Sequence, residues 1–185
     1  MKTKIESNED YHKNRRYISS SGIKKIHKKS VYHYLNELPF SSSSMELGTL
    51  IHTAVLEPEK LADEYYVMPS VDRRTKAGKE EYSLHLEKSK GKILIDDSMV
   101  KVKDNIVENF LANQNAVTYT KGDIELSHYT ELMGVPVKVR PDCYNKKEGF
   151  ISDPKTCQDN SPKAFKRDVF KYGYHIQAAF YSDAL

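Results

Sequence analysis

The chain has 185 residues, a formal net charge of +3, and 38% hydrophobic and 30% charged residues, which suits one domain, or one with a helical appendage, large enough to bury a core. No apolar run approaches the roughly 18 residues that a bilayer span needs, and the opening MKTKIESNEDYHKNRR lacks the apolar stretch of a secretory leader; a soluble, cytoplasmic protein with no membrane partner is expected. Cys143 and Cys157 are the only cysteines, too few for a disulfide framework or a four-cysteine zinc or iron–sulfur site.

Residues 1–18 are polar and unpatterned and read as a loose, flexible N-terminal arm, leaving 19–185 as a single domain. Ser19, Ser20 and Ser21 offer N-caps for a helix over 22–38, in which Ile23, Ile26, Val31, Tyr32 and Leu35 recur at near-helical spacing and which Pro39 stops. The serines at 41–44 cap a second helix over 45–56, ended by Glu57-Pro58. A short strand at 65–68 and a loop at 69–75 follow, then a charged helix over 76–88, a strand at 92–95, and a helix over 98–112 capped by Asp96 and Asp97.

From Val117 the apolar period changes to two. Residues 124–133, 135–143 and 150–155 read as an antiparallel meander turning at Gly134 and at 145–149. Asn160-Ser161-Pro162 opens a helix, Gly173 breaks it, and 174–185 forms a last one. Helices, a short sheet and helices again indicate an α/β or α+β arrangement. Nothing after Ala184-Leu185 resembles a C-cap, so a C-terminally incomplete domain is expected. Basic residues gather at 13–16, 24–29, 73–79 and 163–171; such clusters can neutralise phosphates or serve as solvated helix faces.

The chemistry concentrates in VKVRPDCYNKKEGFISDPKT, from Val137 to Thr156. Residues two apart on a strand share a face, so Asp153 and Lys155 project together, and hairpin pairing brings Asp142 beside them. Two carboxylates in one small volume repel unless a cation lies between them, and hard oxygen ligands suit Mg2+ or Mn2+. Metal-assisted hydrolysis is the chemistry to expect. Arg140 shares the face of Asp142 and is either a phosphate contact or a strand-surface charge. Glu125 and Glu131, six apart on the preceding strand, are further acidic candidates. Gly48 and His52 lie one helical turn apart, as do Gln177 and Tyr181; taken singly, such residues are more often core or surface groups than ligands. Tyr172, Tyr174 and His175 read as channel lining or as aromatic packing between helices.

In this order, GxxxH, RPD, DxK and QxxxY resemble the RecB-like branch of the PD-(D/E)XK nuclease superfamily. The wording GTLIHTAVLEPEK, VKVRPD, GFISDPKT and YHIQAAFYSD is similar to the RecE-type exodeoxyribonuclease (exonuclease VIII-like) group of phages and prophages. The resemblance spans residues 20–185. It implies a restriction-endonuclease-like core with a central mixed sheet flanked by helices. Its ligands to Mg2+ or Mn2+ would be His52, Asp142, Asp153 and the carbonyl of Pro154. Lys155 would orient or activate the attacking water, with Gln177 and Tyr181 holding the DNA backbone or the lysine. It further implies ATP-independent, 5′ to 3′ digestion of linear double-stranded DNA from its ends in recombination, a homo-oligomer, and a single-strand annealing protein as partner. No Walker-type glycine loop is present. The rival from another class is a catalytically silent DNA-binding or assembly module built on a truncated nuclease fold.

Overall fold

The computed structural model describes residues 1–38 and 40–185. In chain order the elements are β1 (Lys2–Lys4), α1 (Asn8–Lys13), α2 (Ser20–Lys28), α3 (Val31–Asn36), α4 (Ser43–Leu56), a 3-10 turn (Pro58–Lys60) and α5 (Leu61–Glu64). There follow β2 (Tyr65–Val67), α6 (Lys76–Lys88), β3 (Ile93–Ile95), α7 (Asp97–Ala112) and α8 (Gln114–Thr118). The last stretch holds β4 (Asp123–Ile124), β5 (Ser127–Leu132), β6 (Val135–Val139), β7 (Cys143–Asn145), β8 (Phe150–Ser152), α9 (Pro162–Tyr172) and α10 (Tyr174–Ala184). The chain divides into two compact units, Met1–Phe40 with Thr118–Leu185, and Ser41–Val117. No described helix is long and apolar enough to cross a membrane.

The smaller unit, Ser41–Val117, pairs β2 with β3 in parallel, Tyr65 opposite Ile93. Leu50 of α4, Tyr65 and Ile95 form its buried centre, with Met99 and Val100 of α7 against them. Two of its helices start on the caps expected, Ser42 Oγ accepting from Met45 N and Asp96 Oδ1 from Met99 N, and a third on Thr75, read as a loop residue, whose Oγ1 accepts from Gly78 N.

The larger unit carries the antiparallel strands, split between two sheets of order β1-β5-β6 and β4-β7-β8. The expected strand 124–133 divides because Glu125 adopts the left-handed conformation, φ 49°. A one-residue kink of that kind redirects the chain and hands β4 and β5 to different partners. It also cancels the parity on which Glu125 and Glu131 would share a face, and Glu131 is exposed on β5. The expected strand 135–143 stops at Val139 because Pro141 has no N–H to give to a ladder; pairing resumes at Cys143, opposite Ser152. Met133 and Gly134, both at positive φ, form the β5–β6 turn. Val137 and Val139 of β6 pack against Phe180, Tyr181 and Ala184 of α10. At Gly173, φ 68°, the left-handed residue ends α9 and begins α10.

Two further expectations change. The helix 22–38 is broken at Lys29, since Ser30 Oγ takes the His33 N–H and restarts the helix as α3; Pro39, expected to end it, lies outside the described residues. The first eighteen residues, expected as a loose arm, are docked. β1 pairs with β5, Lys2 opposite Tyr129, Ile18 bridges to Val137, and Tyr11 of α1 is buried.

The reason is Lys138, the next-to-last residue of β6 and only 3% exposed. Its Nζ donates to the carbonyls of Tyr11 and, at 2.7 Å, Asn14, and lies 4.4 Å from the centre of the Tyr11 ring. The Tyr11 hydroxyl donates back to the Lys138 carbonyl at 3.4 Å. Burial holds the Lys138 ammonium down at about 8. A buried ammonium must be met by acceptors, and the N-terminal segment supplies them. Tyr11→Ala is expected to cost about 3 kcal/mol, the usual scale for deleting a buried aromatic ring, read as a lower midpoint in urea unfolding.

His128 on β5 is 2% exposed, and neither ring nitrogen has a hydrogen-bond partner. Its ring meets Tyr144 edge-on at 5.6 Å. Burial pushes the imidazole below its ordinary value, with Asp123 opposing. The unfolded chain then takes up the proton first, so the contribution of His128 is present above about pH 6.5 and lost as the pH falls below it. The melting temperature of the wild type is expected to drop between pH 7.5 and 5.5, more steeply than that of His128→Phe; parallel curves would assign the pH dependence elsewhere.

Candidate active site

The β7–β8 pairing, Cys143 opposite Ser152 and Asn145 opposite Phe150, fixes the central geometry. Asp142 enters β7 and Asp153 leaves β8, so the two carboxyl groups meet in hydrogen-bonding contact at one end of the hairpin. Asp142 is 8% exposed. Its burial, then the negative charge of Asp153, push its carboxyl well above the usual carboxylate range; Lys155 pulls it down, and Glu125 adds to the rise. Behind Asp142 the chain is tightly packed, with Pro141 and Cys143 fully buried. Cys157 is exposed.

Asp153 is the hub. Its Oδ2 forms an ion pair with Lys155 Nζ and accepts from Gln177 Nε2 of α10 at 2.7 Å. Gln177 Oε1 in turn accepts from Lys24 Nζ of α2 at 3.2 Å. These neighbours fix the orientation of the amide, because the reverse would set its oxygen against a carboxylate and its NH2 against an ammonium. Lys155 Nζ also lies 5.6 Å from the centre of the Tyr174 ring, and that ring stacks on Tyr172 at 5.7 Å. Pro154, half-buried, separates Asp153 from Lys155 in an irregular segment beyond β8, which leaves its carbonyl without a ladder to serve.

Tyr181, one turn after Gln177, is 7% exposed, and its hydroxyl donates to the Arg140 carbonyl at 3.2 Å. Burial first, then the charge of Asp153, push the phenol well above its ordinary value, so it stays neutral and acts as a donor. It pins the backbone just before Pro141-Asp142. The Arg140 side chain is not a free surface charge. Its Nε pairs with Glu125 at 2.8 Å, its Nη2 donates to Asn8 at 2.5 Å, and it stacks on Tyr11 at 4.5 Å. The Glu125 N–H reaches the Asp142 carbonyl at 3.3 Å, so the left-handed kink and the ion pair together hold the strand that presents Asp142.

Two clefts flank this cluster and share Gln177 and Tyr181 on their walls. The larger, about 520 Å³, is lined by Asp153, Lys155, Phe165 and Tyr174; the smaller, about 190 Å³, by Ser19, Ser20, Ser21, Lys24 and Asp142. The structure thus brings together Asp142, Asp153, Pro154, Lys155, Gln177 and Tyr181, with Arg140 on the wall of the smaller cleft beside Asp142. His52 lies on α4 in the other unit and is half-buried.

The family model that matches the chain describes a PDDEXK-like domain of unknown function (DUF3799) and covers residues 19–185. The chain belongs to this family. The PDDEXK-like domain is of nuclease type, with the α/β core of the PD-(D/E)XK fold. No curated protein matches the chain in sequence. Among solved structures it is similar to the crystal structure of a "putative exonuclease" from Eubacterium rectale, with 14% identity, a TM-score of 0.44, and 77% of this chain and 51% of that one covered. The chain therefore spans about half the length of that protein.

Lys24 and Lys138 were not legible as parts of the site. Lys24 stood in a run of basic residues whose helix face gives no hint of a glutamine 153 positions away. Lys138 sat where strand alternation puts polar side chains outward. Tyr174 packs on Tyr172 and lines the larger cleft.

Proposed function

We propose that the domain is a metal-dependent exodeoxyribonuclease that hydrolyses phosphodiester bonds of linear duplex DNA. The observation that carries this reading is the contact of the Asp142 and Asp153 carboxyl groups, one of them buried, with the Lys155 ammonium paired to Asp153 and an open cleft alongside. The donor set fits a hard divalent cation. Two carboxylates in contact need a proton or a cation between them, and the donors the hairpin supplies, these carboxylates and the Pro154 carbonyl, are oxygens. His52 is a further proposed ligand, on its place in the motif order alone.

Bound there, Mg2+ or Mn2+ would polarise the phosphodiester and lower the pKa of the attacking water. Asp142 and Asp153 would hold the cation. Lys155 presents an ammonium to the water or to the phosphate oxygen on which charge develops. Gln177 keeps the Asp153 carboxylate in one orientation, and Tyr181 fixes the backbone leading to Asp142. Arg140, tied to Glu125, is a positioning residue rather than a direct DNA contact in this reading.

The finer properties rest on the likeness to RecE-type enzymes. They are 5′ to 3′ polarity, independence of ATP, a cytoplasmic role in phage or prophage recombination, a homo-oligomer, and a single-strand annealing partner. Digestion of linear and closed-circular duplex DNA in Mg2+ without ATP, with the 5′ and 3′ ends labelled separately, tests the exonuclease activity, its polarity and its independence of ATP. Loss of label from linear DNA alone, 5′ label first, is expected. Nicking of the circle would make the protein an endonuclease, and salt-sensitive binding without cleavage in any metal would make it a silent DNA-binding module.

A further inference from the structure

We propose that the smaller cleft is a phosphate subsite, in which the first turn of α2, the Ser20 hydroxyl and the Lys24 ammonium hold a backbone phosphate of the bound DNA next to the carboxylate pair; this rests on the nucleic-acid reading above. α2 begins in this cleft. Ser19 is its N-cap: its Oγ accepts from Gly22 N at 3.3 Å and meets Ser21 Oγ at 2.9 Å. The N–H groups of Ser20 and Ser21 precede the first helical carbonyl that could receive them, and the positive end of the helix dipole points the same way.

The second observation is Ser20 itself. It is 5% exposed, its Oγ has no hydrogen-bond partner, and it lines the cleft. A buried hydroxyl without a partner costs free energy that an incoming acceptor would recover. One turn further along α2, Lys24 reaches into the same space. Among the charged groups on the walls, Arg140 and Glu125 pair with each other and Asp142 belongs to the carboxylate pair. Lys24 has no carboxylate partner among the described residues and touches only the neutral amide of Gln177. Burial, and then the neighbouring Lys155, press against its charge, with Asp153 opposing them. Backbone N–H groups, hydroxyl and ammonium are all donors, and converging donors at a helix start suit the several oxygens of a phosphate.

The test is binding of a fluorescent blunt-ended duplex, with calcium in place of magnesium, followed by anisotropy over a salt series for the full chain and for Ser20→Ala, Lys24→Met and Lys24→Arg. Lys24→Met is expected to weaken binding about tenfold and to reduce the slope of log affinity against log salt by about 1, the loss of one phosphate contact. Lys24→Arg should restore the slope, and Ser20→Ala should weaken binding about threefold with the slope unchanged. If Lys24→Met lowers cleavage but leaves affinity and slope as in the wild type, the lysine only positions Gln177 and the subsite is refuted. A wild-type chain that binds no duplex at any salt overturns both the subsite and the nuclease reading, whereas wild-type binding with unaltered variants overturns the subsite alone.

Discussion

Asp153→Ala is expected to reduce cleavage of linear DNA by on the order of a thousandfold or more while the protein stays folded. The carboxylate organises the largest number of groups at the site: Lys155 pairs with it, Gln177 donates to it, and Asp142 meets it. Its side chain is 18% exposed and that of Lys155 24%, so water can reach the groups left behind and the loss falls on chemistry rather than on stability. Lys155→Ala should lose cleavage to a similar extent but retain the metal, because the ammonium is a donor and not a ligand. The two variants therefore separate in a second measurement. Magnesium or manganese should raise the melting temperature of the wild type and of Lys155→Ala, as a ligand of the folded state does, and leave Asp153→Ala unmoved. Cleavage that survives in both variants would refute the proposed mechanism.

The second large effect concerns Asp142, whose burial stores a cost in the metal-free protein. Its carboxyl titrates well above the range of an unfolded aspartate, near 3.9, first through burial and then through Asp153. Between the two values the folded form keeps a proton that the unfolded form releases. The favourable contribution is thus whole below about pH 3.9 and drains away as the pH rises toward the folded value. Asparagine has the same shape and nothing to ionise. Asp142→Asn is expected to make the metal-free protein more stable at pH 8, by about 1–2 kcal/mol, as is common when an active-site strain is removed, and to abolish cleavage. In the wild type the thermal shift on adding magnesium should grow with pH, since the cation displaces the proton. A metal-free Asp142→Asn protein that melts below the wild type at pH 8 would contradict this account.

The hairpin at the centre of the site was legible because its determinants are local. The turn closed by the Gly149 N–H on the Asn145 carbonyl, 2.9 Å, sets the register that brings Asp142 across, whereas the strand expected over 150–155 ends at Ser152, so Asp153 and Lys155 meet in the irregular segment beyond it rather than by alternation. Spacing by one helical turn likewise placed Gln177 and Tyr181 together. What escaped depends on partners far away in the chain. The left-handed Glu125 makes sense only beside Arg140, whose other contacts, Asn8 and Tyr11, lie more than a hundred residues away. The two-sheet division follows from that kink and from Pro141, neither of which alters the alternating pattern read along 124–143. The break at Lys29 turned on one serine competing for a backbone N–H, a choice that periodicity alone does not record.

The docking of residues 1–18 sets the borders of what is inherited against the borders of what folds. The family match begins at residue 19, yet both carbonyls that receive the Lys138 ammonium, and the ring that covers it, belong to Tyr11 and Asn14. A polypeptide trimmed to the matched region would keep every proposed catalytic group. It would also leave a cation inside the sheet with no acceptor and strip Arg140 of two of its supports. The recognisable part of this domain is therefore smaller than the part its packing requires, and its first eighteen residues act as a keystone set from outside the arch.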